Sequence, residues 1–144
     1  MPKRVTHIHF GADDIEAHAG WWQPLAEAAD AGYCGCAVVL NPDGSVQSAG
    51  MSGWEAHTTI PEDWAPVEHT LTPFLTRKQW GKVEYIPRTL HFCTDIWVSA
   101  RLGVPVVVRT GSRLTHHNHP AGRGAGMDIH ERNRHDRALF ASLI

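Results

Sequence analysis

Two adjacent acids, Asp13 and Asp14, follow a predicted strand in a segment flanked by glycine. Carboxylates at the end of a strand can reach a hard divalent cation, because such ions prefer oxygen ligands. Paired acids at this position are also common as turn residues or helix caps. The two residues alone therefore leave a metal site and a turn as alternatives.

Histidine is unusually frequent, with 11 copies in 144 residues. His116, His117 and His119 follow a predicted strand, and imidazoles at this spacing can enter a metal coordination sphere. Arg123 lies between glycines, which let a phosphate approach the backbone and the guanidinium. The alternative for this segment is a mobile surface loop, and most of the other histidines are expected at the surface.

Asp95 lies at the start of a predicted helix. A carboxylate there can act as a general base or cap the helix, and without further context the cap is favoured. Trp21, Trp54 and Trp64 would suit a surface that binds sugar or protein, or they pack in the core.

Cysteine usage indicates structural thiols. The chain has Cys34, Cys36 and Cys93, an odd number, and Cys-x-Cys places two side chains on one face of a strand.

The first residues contain basic side chains but no apolar signal-peptide segment. We therefore expect a reducing compartment and a cytoplasmic location.

The charge balance narrows the class of partner. Thirteen Lys and Arg against 15 Asp and Glu give a formal net charge of -2, which disfavours binding to nucleic acid through bulk charge. No apolar run approaches the roughly 18 residues of a membrane helix. The length and the 42% hydrophobic content predict a single domain over residues 1–144.

The predicted elements mix strands and helices, which indicates an α/β or α+β fold on a mixed sheet. The helix over 21–31 carries a stripe of Trp22, Leu25, Ala26 and Ala29 and ends at Gly32. The other expectations are strands at 4–10, 33–40, 45–50, 67–76 and 104–109, a turn at 41–44, a long loop at 51–66, helices at 76–83 and 91–102, a flexible His/Gly/Arg loop at 112–127 and a C-terminal helix at 128–144.

Three segments taken in order resemble family 2 inverting nucleotide-sugar glycosyltransferases. They are residues 11–25, residues 36–50 and residues 91–108, and the most specific is LeuAsnProAspGlySerValGlnSerAlaGly at 40–50. SerArgLeuThrHis at 112–116 is similar to the family's strand that ends in a histidine. The resemblance spans about residues 5–120 and implies an α/β fold of GT-A type, a divalent metal (Mn²⁺ or Mg²⁺) and a nucleotide-diphosphate sugar donor.

The resemblance also implies roles for individual residues. Asp14 and Asp13 match the last and middle positions of the DxD metal motif, whereas Ala12 replaces its usual first acid. His116 matches the histidine that completes the metal or diphosphate site. Asp95 matches the general base, with a spacing to the following glycine about one residue shorter than usual.

Two further substrate contacts are predicted. Arg123 lies on the loop that folds over the donor in such enzymes, and Trp54 is a candidate for sugar binding. The acceptor would be a glycan, a protein or a small molecule.

The family's nucleotide-binding N-terminal half has no counterpart in this sequence, which resembles a C-terminal half alone. The missing half could come from a second chain, the protein could be a remnant that binds or assembles, or homo-oligomers could cover an exposed sheet edge. A non-catalytic binding or assembly module is therefore the alternative function. A third hypothesis is an HNH-like metal-dependent nuclease, suggested by HisHisAsnHisPro at 116–120 and disfavoured by the acidic net charge and the glycine-rich loop that follows.

Overall fold

A computed structural model of the chain describes residues 4–83 and 94–117, together with Arg134 and Ala138. The fold is mixed α/β, with one curled mixed sheet, a small hairpin and a few helices. None of the helices in these ranges is long and apolar enough to cross a membrane.

Two parallel strands form the centre of the sheet. They are β3 (Cys34–Leu40) and β9 (Val106–His116), paired from Cys34 opposite Val106 to Leu40 opposite Thr115. All seven residues of β3 are buried, as expected for a strand that is covered on both faces. β9 advances five residues where β3 advances two, so residues 109–112 bulge out of the pairing.

Short antiparallel strands flank this pair. On the outer side of β3 lie β8 (Phe74–Thr76) at its beginning and β4 (Val46–Ser48) at its end, and β1 (His7–His9) forms the edge beyond β8. On the outer side of β9 lie β7 (Pro66–Val67) at its beginning and β2 (Ile15–Ala17) at its end. β4 and β2 therefore both lie at the carboxyl ends of the two parallel strands.

The first helix, α1 (Trp22–Asp30), packs on the sheet through Leu25, Ala26 and Ala29. It ends as predicted, because Gly32 adopts a φ of 95° and donates its N–H to the Ala29 carbonyl. The prediction that Trp22 belongs to the buried stripe is wrong, since Trp22 is 51% exposed. Trp21 packs against the cluster instead, because the stripe begins one residue before the helix.

Two shorter helices complete the described part. The helix α2 (Arg77–Trp80) begins with a capping box between Thr76 and Gln79. The helix α3 (Thr94–Arg101) buries Ile96, Trp97 and Val98.

The buried thiols agree with the structural role that the sequence predicts. Cys34 and Cys36 are free and belong to the main hydrophobic cluster. Burial raises the pKa of Cys34 to about 12 and that of Cys36 to about 11, so both are neutral thiols at physiological pH. Cys93 lies outside the described residues.

Three predicted elements differ from the structure. The predicted loop at 51–66 contains the hairpin of β5 (Met51–Ser52) and β6 (Glu55–Ala56), and it reaches into β7. The predicted strand at 67–76 is interrupted, because Thr70 and Thr72 bond to each other and the Ala37 N–H donates to Thr72 Oγ1. The predicted flexible loop at 112–127 begins too early, since pairing with β3 and β2 keeps β9 extended to His116.

The remaining part of that loop, residues 118–127, lies outside the described residues. Within the predicted helix at 128–144, Arg134 and Ala138 are the described positions, and both are helical.

Candidate functional site

The carboxyl ends of β3 and β9 bring together chemically active side chains from distant parts of the sequence. Asp14 lies immediately before β2, Gln47 lies in β4, and His116 is the last residue of β9. In open α/β sheets, ligands bind outside the carboxyl ends of parallel strands, because the loops that leave the sheet meet there. This end of the sheet is therefore the candidate site.

Asp14 and His116 form the centre of the site. Asp14 Oδ2 and His116 Nε2 are hydrogen-bonded at 2.9 Å, across 102 residues of sequence. The Asp14 side chain is 11% exposed and the His116 side chain 25%. Strand pairing fixes the contact, because Ile15 lies opposite His116 and the His117 N–H donates to the Asp14 carbonyl at 2.9 Å.

The other imidazole nitrogen of His116 is also engaged. Nδ1 of His116 lies 3.0 Å from Oε1 of Gln47. Gln47 and Asp14 thus contact the two nitrogens of the His116 ring from opposite sides and hold the ring in a defined orientation.

Two more side-chain pairs join the same strands toward solvent. His117 Nε2 lies 2.8 Å from Glu16 Oε2, and His18 Nε2 lies 2.7 Å from Thr115 Oγ1. Both pairs are exposed, so their contribution to stability is small. They attach β2 to the end of β9 beside the central pair.

The donor atoms of Asp14 and His116 suit a divalent cation. An octahedral Mg²⁺ or Mn²⁺ with donor bonds of about 2.1 Å holds adjacent ligands about 3 Å apart, and such ions take few protein ligands beside water and substrate phosphates. The 2.9 Å between the carboxylate oxygen and the imidazole nitrogen is an ordinary hydrogen-bond distance, so the fit to a cation rests on the kinds of donor atom present. In the described part of the chain, no three His, Cys, Asp or Glu side chains form a metal-binding group, so Asp13, which lies exposed beside Asp14, does not complete a three-ligand protein site.

Asp95 is partly buried in the first turn of α3. Its Oδ1 accepts from the N–H of the next residue, Ile96, at 2.8 Å, so Asp95 lies inside the helix as its second residue and is not at the N-cap position that the sequence favours. Burial raises the pKa of Asp95 to about 7, because the surroundings penalise the charged carboxylate. The same residue can therefore exchange a proton near neutral pH.

Trp54 and the helix of Asp95 pack together. Trp54, in the turn of the β5–β6 hairpin, lies against a cluster of Met51, Ile96 and Trp97. Met51 is four residues from Gln47, so their Cα atoms are at most about 14 Å apart. The segment 47–51 thus runs from Gln47, which contacts His116, to Met51 in the cluster that includes Ile96 and Trp97 of α3.

The other two predicted tryptophans have structural contacts. Trp21 packs edge-on against His9 and Phe74 in the core. Trp64 is 38% exposed, adopts a φ of 70°, and lies under the Arg109 guanidinium, 4.0 Å from its ring centroid. A tryptophan with positive φ is strained by about 1–3 kcal/mol.

The contacts of Arg109 stabilise the strained conformation of Trp64. The nearly buried side chain of Arg109 bonds to Asp63 at 3.1 Å and donates to the Pro24 carbonyl. Arg109 lies in the bulge of β9. Through Pro24 and Asp63 it therefore connects the sheet to α1 and to the loop around Trp64. We assign this network to stability.

A further pair that the sequence analysis missed lies in the β5–β6 hairpin. Ser52 Oγ and His57 Nε2 are 2.8 Å apart, which is the spacing of a nucleophile and its base. The N–H of Gly53 donates to the Glu68 carboxylate, so the amide that follows Ser52 is engaged and does not offer an oxyanion donor. The pair therefore stabilises the hairpin.

No family model matches this sequence, and neither a curated protein nor a solved structure is significantly similar to it. The geometry of the site therefore carries the functional argument.

The structure brings together some of the predicted site residues. Asp14 contacts His116, and Trp54 packs on the helix of Asp95. Arg123 and His119 lie outside the described residues. The sequence analysis does not single out Gln47, although the residue lies in the most specific motif, at 40–50. Its position shortly after the 41–44 turn, and so near the end of the predicted strand at 33–40, is the signal that could identify it.

Proposed function

We propose that this chain is the metal-binding and acceptor-binding half of an inverting glycosyltransferase, with a partial GT-A-like fold. The observation that carries the proposal is the 2.9 Å contact between Asp14 Oδ2 and His116 Nε2. The sequence resemblance selects these two residues as ligands of the metal and diphosphate, independently of their contact.

The proposed reaction transfers a sugar from a nucleotide diphosphate to an acceptor hydroxyl. Mn²⁺ or Mg²⁺ held by Asp14 and His116 would stabilise the negative charge that develops on the diphosphate as the sugar departs. Asp14 supplies a formal charge for the cation, and His116 supplies a nitrogen ligand whose ring is already oriented. Arg123 is a predicted further contact to the donor.

Asp95 is the proposed general base. Its carboxylate takes the proton of the acceptor hydroxyl, the acceptor oxygen forms a bond to the anomeric carbon, and the bond between that carbon and the diphosphate oxygen breaks. The pKa of about 7 supports this role, because a base with a pKa close to the working pH transfers protons most effectively. Trp54, on the same cluster as α3, offers an aromatic surface for the acceptor.

Under this proposal a second chain supplies the nucleotide half, whereas a second copy of this chain would cover an exposed sheet edge. The edge strands β1 and β2 are surfaces on which a partner could add to the sheet. The cytoplasm, predicted from the sequence, is the proposed compartment.

Isothermal titration of the full chain with UDP, with Mn²⁺ and with both tests the proposal. We expect UDP to bind only when Mn²⁺ is present. Failure of both to bind contradicts a donor site in this chain. Metal-independent binding of a sugar or a protein would instead favour the non-catalytic module, and plasmid nicking that is lost in His117→Ala would favour the nuclease.

A further inference from the structure

Gln47 occupies an irregular position in its strand. Val39 pairs with Ser48 and Leu40 pairs with Val46, so β4 has one extra residue at Gln47. A β-bulge of this kind turns a side chain away from its regular direction, and such bulges are frequent beside functional sites. Here the Gln47 side chain reaches the His116 ring, with 3.0 Å between Oε1 and Nδ1.

The turn after Gln47 fixes the bulge. Ser48 Oγ donates to the Gly50 carbonyl, and Gly50 has a φ of 90°. The Ala49 N–H donates to the His57 carbonyl at 2.7 Å, and the His57 N–H returns to the Gly50 carbonyl at 2.9 Å. These hydrogen bonds restrict the backbone that follows Gln47 and so limit the directions that its side chain can take.

We propose that Gln47 is a positioning residue for the divalent cation site, which orients His116 so that Nε2 faces Asp14. If His116 held a cation through Nε2, its Nδ1 atom would carry the ring proton and donate a hydrogen bond to Gln47 Oε1. An acceptor at this position fixes the tautomer and the ring orientation of a metal-binding histidine. This inference rests on the proposed function and adds a residue that contacts neither the cation nor the sugar donor.

The test is the Mn²⁺ affinity of the full chain, measured by electron paramagnetic resonance in the presence of UDP. Gln47→Met keeps the side-chain length and removes the acceptor, and we expect it to weaken Mn²⁺ binding by about 10–100-fold. Gln47→Glu retains an acceptor oxygen and is expected to restore the affinity to near that of the wild type. Gln23→Met, at an exposed position of α1, is the matched control and should leave the affinity unchanged.

Each result separates this inference from the proposed function. If the wild type binds Mn²⁺, Asp14→Ala abolishes the binding, and Gln47→Met does not weaken it, the positioning role is overturned and the cation site stands. Equal losses in Gln47→Met and Gln47→Glu also overturn it, because the acceptor oxygen would then have no role. A wild-type chain that binds no Mn²⁺ overturns both.

Discussion

Gly50 and Val67 approach each other so closely that a Cβ atom on Gly50 would lie 2.7 Å from both methyl carbons of Val67. The backbone of Gly50 also has a φ of 90°, which L-residues with a side chain rarely adopt. Contact and conformation therefore both require glycine at the turn that follows Gln47.

We predict that Gly50→Ala lowers the free energy of unfolding more than Gly44→Ala does. Gly44 has a φ of 89°, but in the described part of the chain no atom lies within 4 Å of a new Cβ, so its substitution costs only the backbone strain of about 1–2 kcal/mol. Gly50→Ala adds a steric clash of about 1–3 kcal/mol. Urea denaturation of both variants measures the difference, and equal losses would contradict the close contact.

Asp14→Ala should weaken Mn²⁺-dependent binding of UDP by more than about 10-fold, because it removes a charged ligand of the proposed cation site. Glu62→Ala is the matched control, since Glu62 is an exposed acid in the loop before β7. Calorimetric titration of the two variants gives the comparison. Equal affinities for UDP in Asp14→Ala and Glu62→Ala would remove Asp14 from the site.

Asp95→Asn should increase stability while it abolishes sugar transfer. The pKa of Asp95 is raised by burial from 3.8 to about 7, so the folded chain holds a proton that the unfolded chain releases between these values. Wild-type stability therefore falls as the pH rises from about 4 to 7, by up to about 1.4 kcal/mol for each unit of pKa shift. Asparagine lacks this ionisation, and its side-chain oxygen can still accept from the Ile96 N–H.

Thermal denaturation of wild type and Asp95→Asn across this pH range checks the prediction. The melting temperatures of the two proteins should diverge as the pH rises, with the variant more stable above pH 7. Parallel curves would show that the carboxylate of Asp95 is well solvated.

His9→Phe should protect the chain against acid. Burial lowers the pKa of His9 from 6.5 to about 4, and its buried Nδ1 atom has no hydrogen-bond partner among the described residues. The stability that depends on neutral His9 is complete above pH 6.5 and is lost as the pH falls toward 4, because the unfolded chain gains the proton first. Phenylalanine suits the aromatic contacts with Trp21 and Phe74.

The measurement for His9→Phe is the urea midpoint at neutral pH and at pH 5. The variant should lose less stability than the wild type on acidification. An equal loss in both proteins would place the acid-sensitive group elsewhere.

The sequence predicted those elements whose cause is local. Gly32 ends α1 through its positive φ, and the turn at 41–44 forms because Asp43 accepts from the Ser45 N–H and Gly44 adopts a φ of 89°. The continuous apolar run of β3 marks a buried strand. Asp14 and His116, which the sequence analysis selected as separate candidates, lie in contact.

The remaining features depend on distant contacts. β7 has two residues and forms through pairing with β9, so it is too short for an alternating hydrophobic pattern to predict it. Trp21 replaces Trp22 in the core because the sheet, and not the helix alone, selects the buried face. The bulge at Gln47 comes from the register of β4 on β3, which local propensity does not encode.

The separation of Asp14 and His116 along the chain has a consequence for synthesis of the protein. During translation, a nascent chain carries Asp14 from the start but gains its partner only after a further 102 residues. The parallel pairing of β3 with β9 must also wait for that late strand, and such distant contacts form slowly. A cation at this position would therefore bind the completed sheet alone, and its binding energy would favour the finished fold over every partly synthesised form.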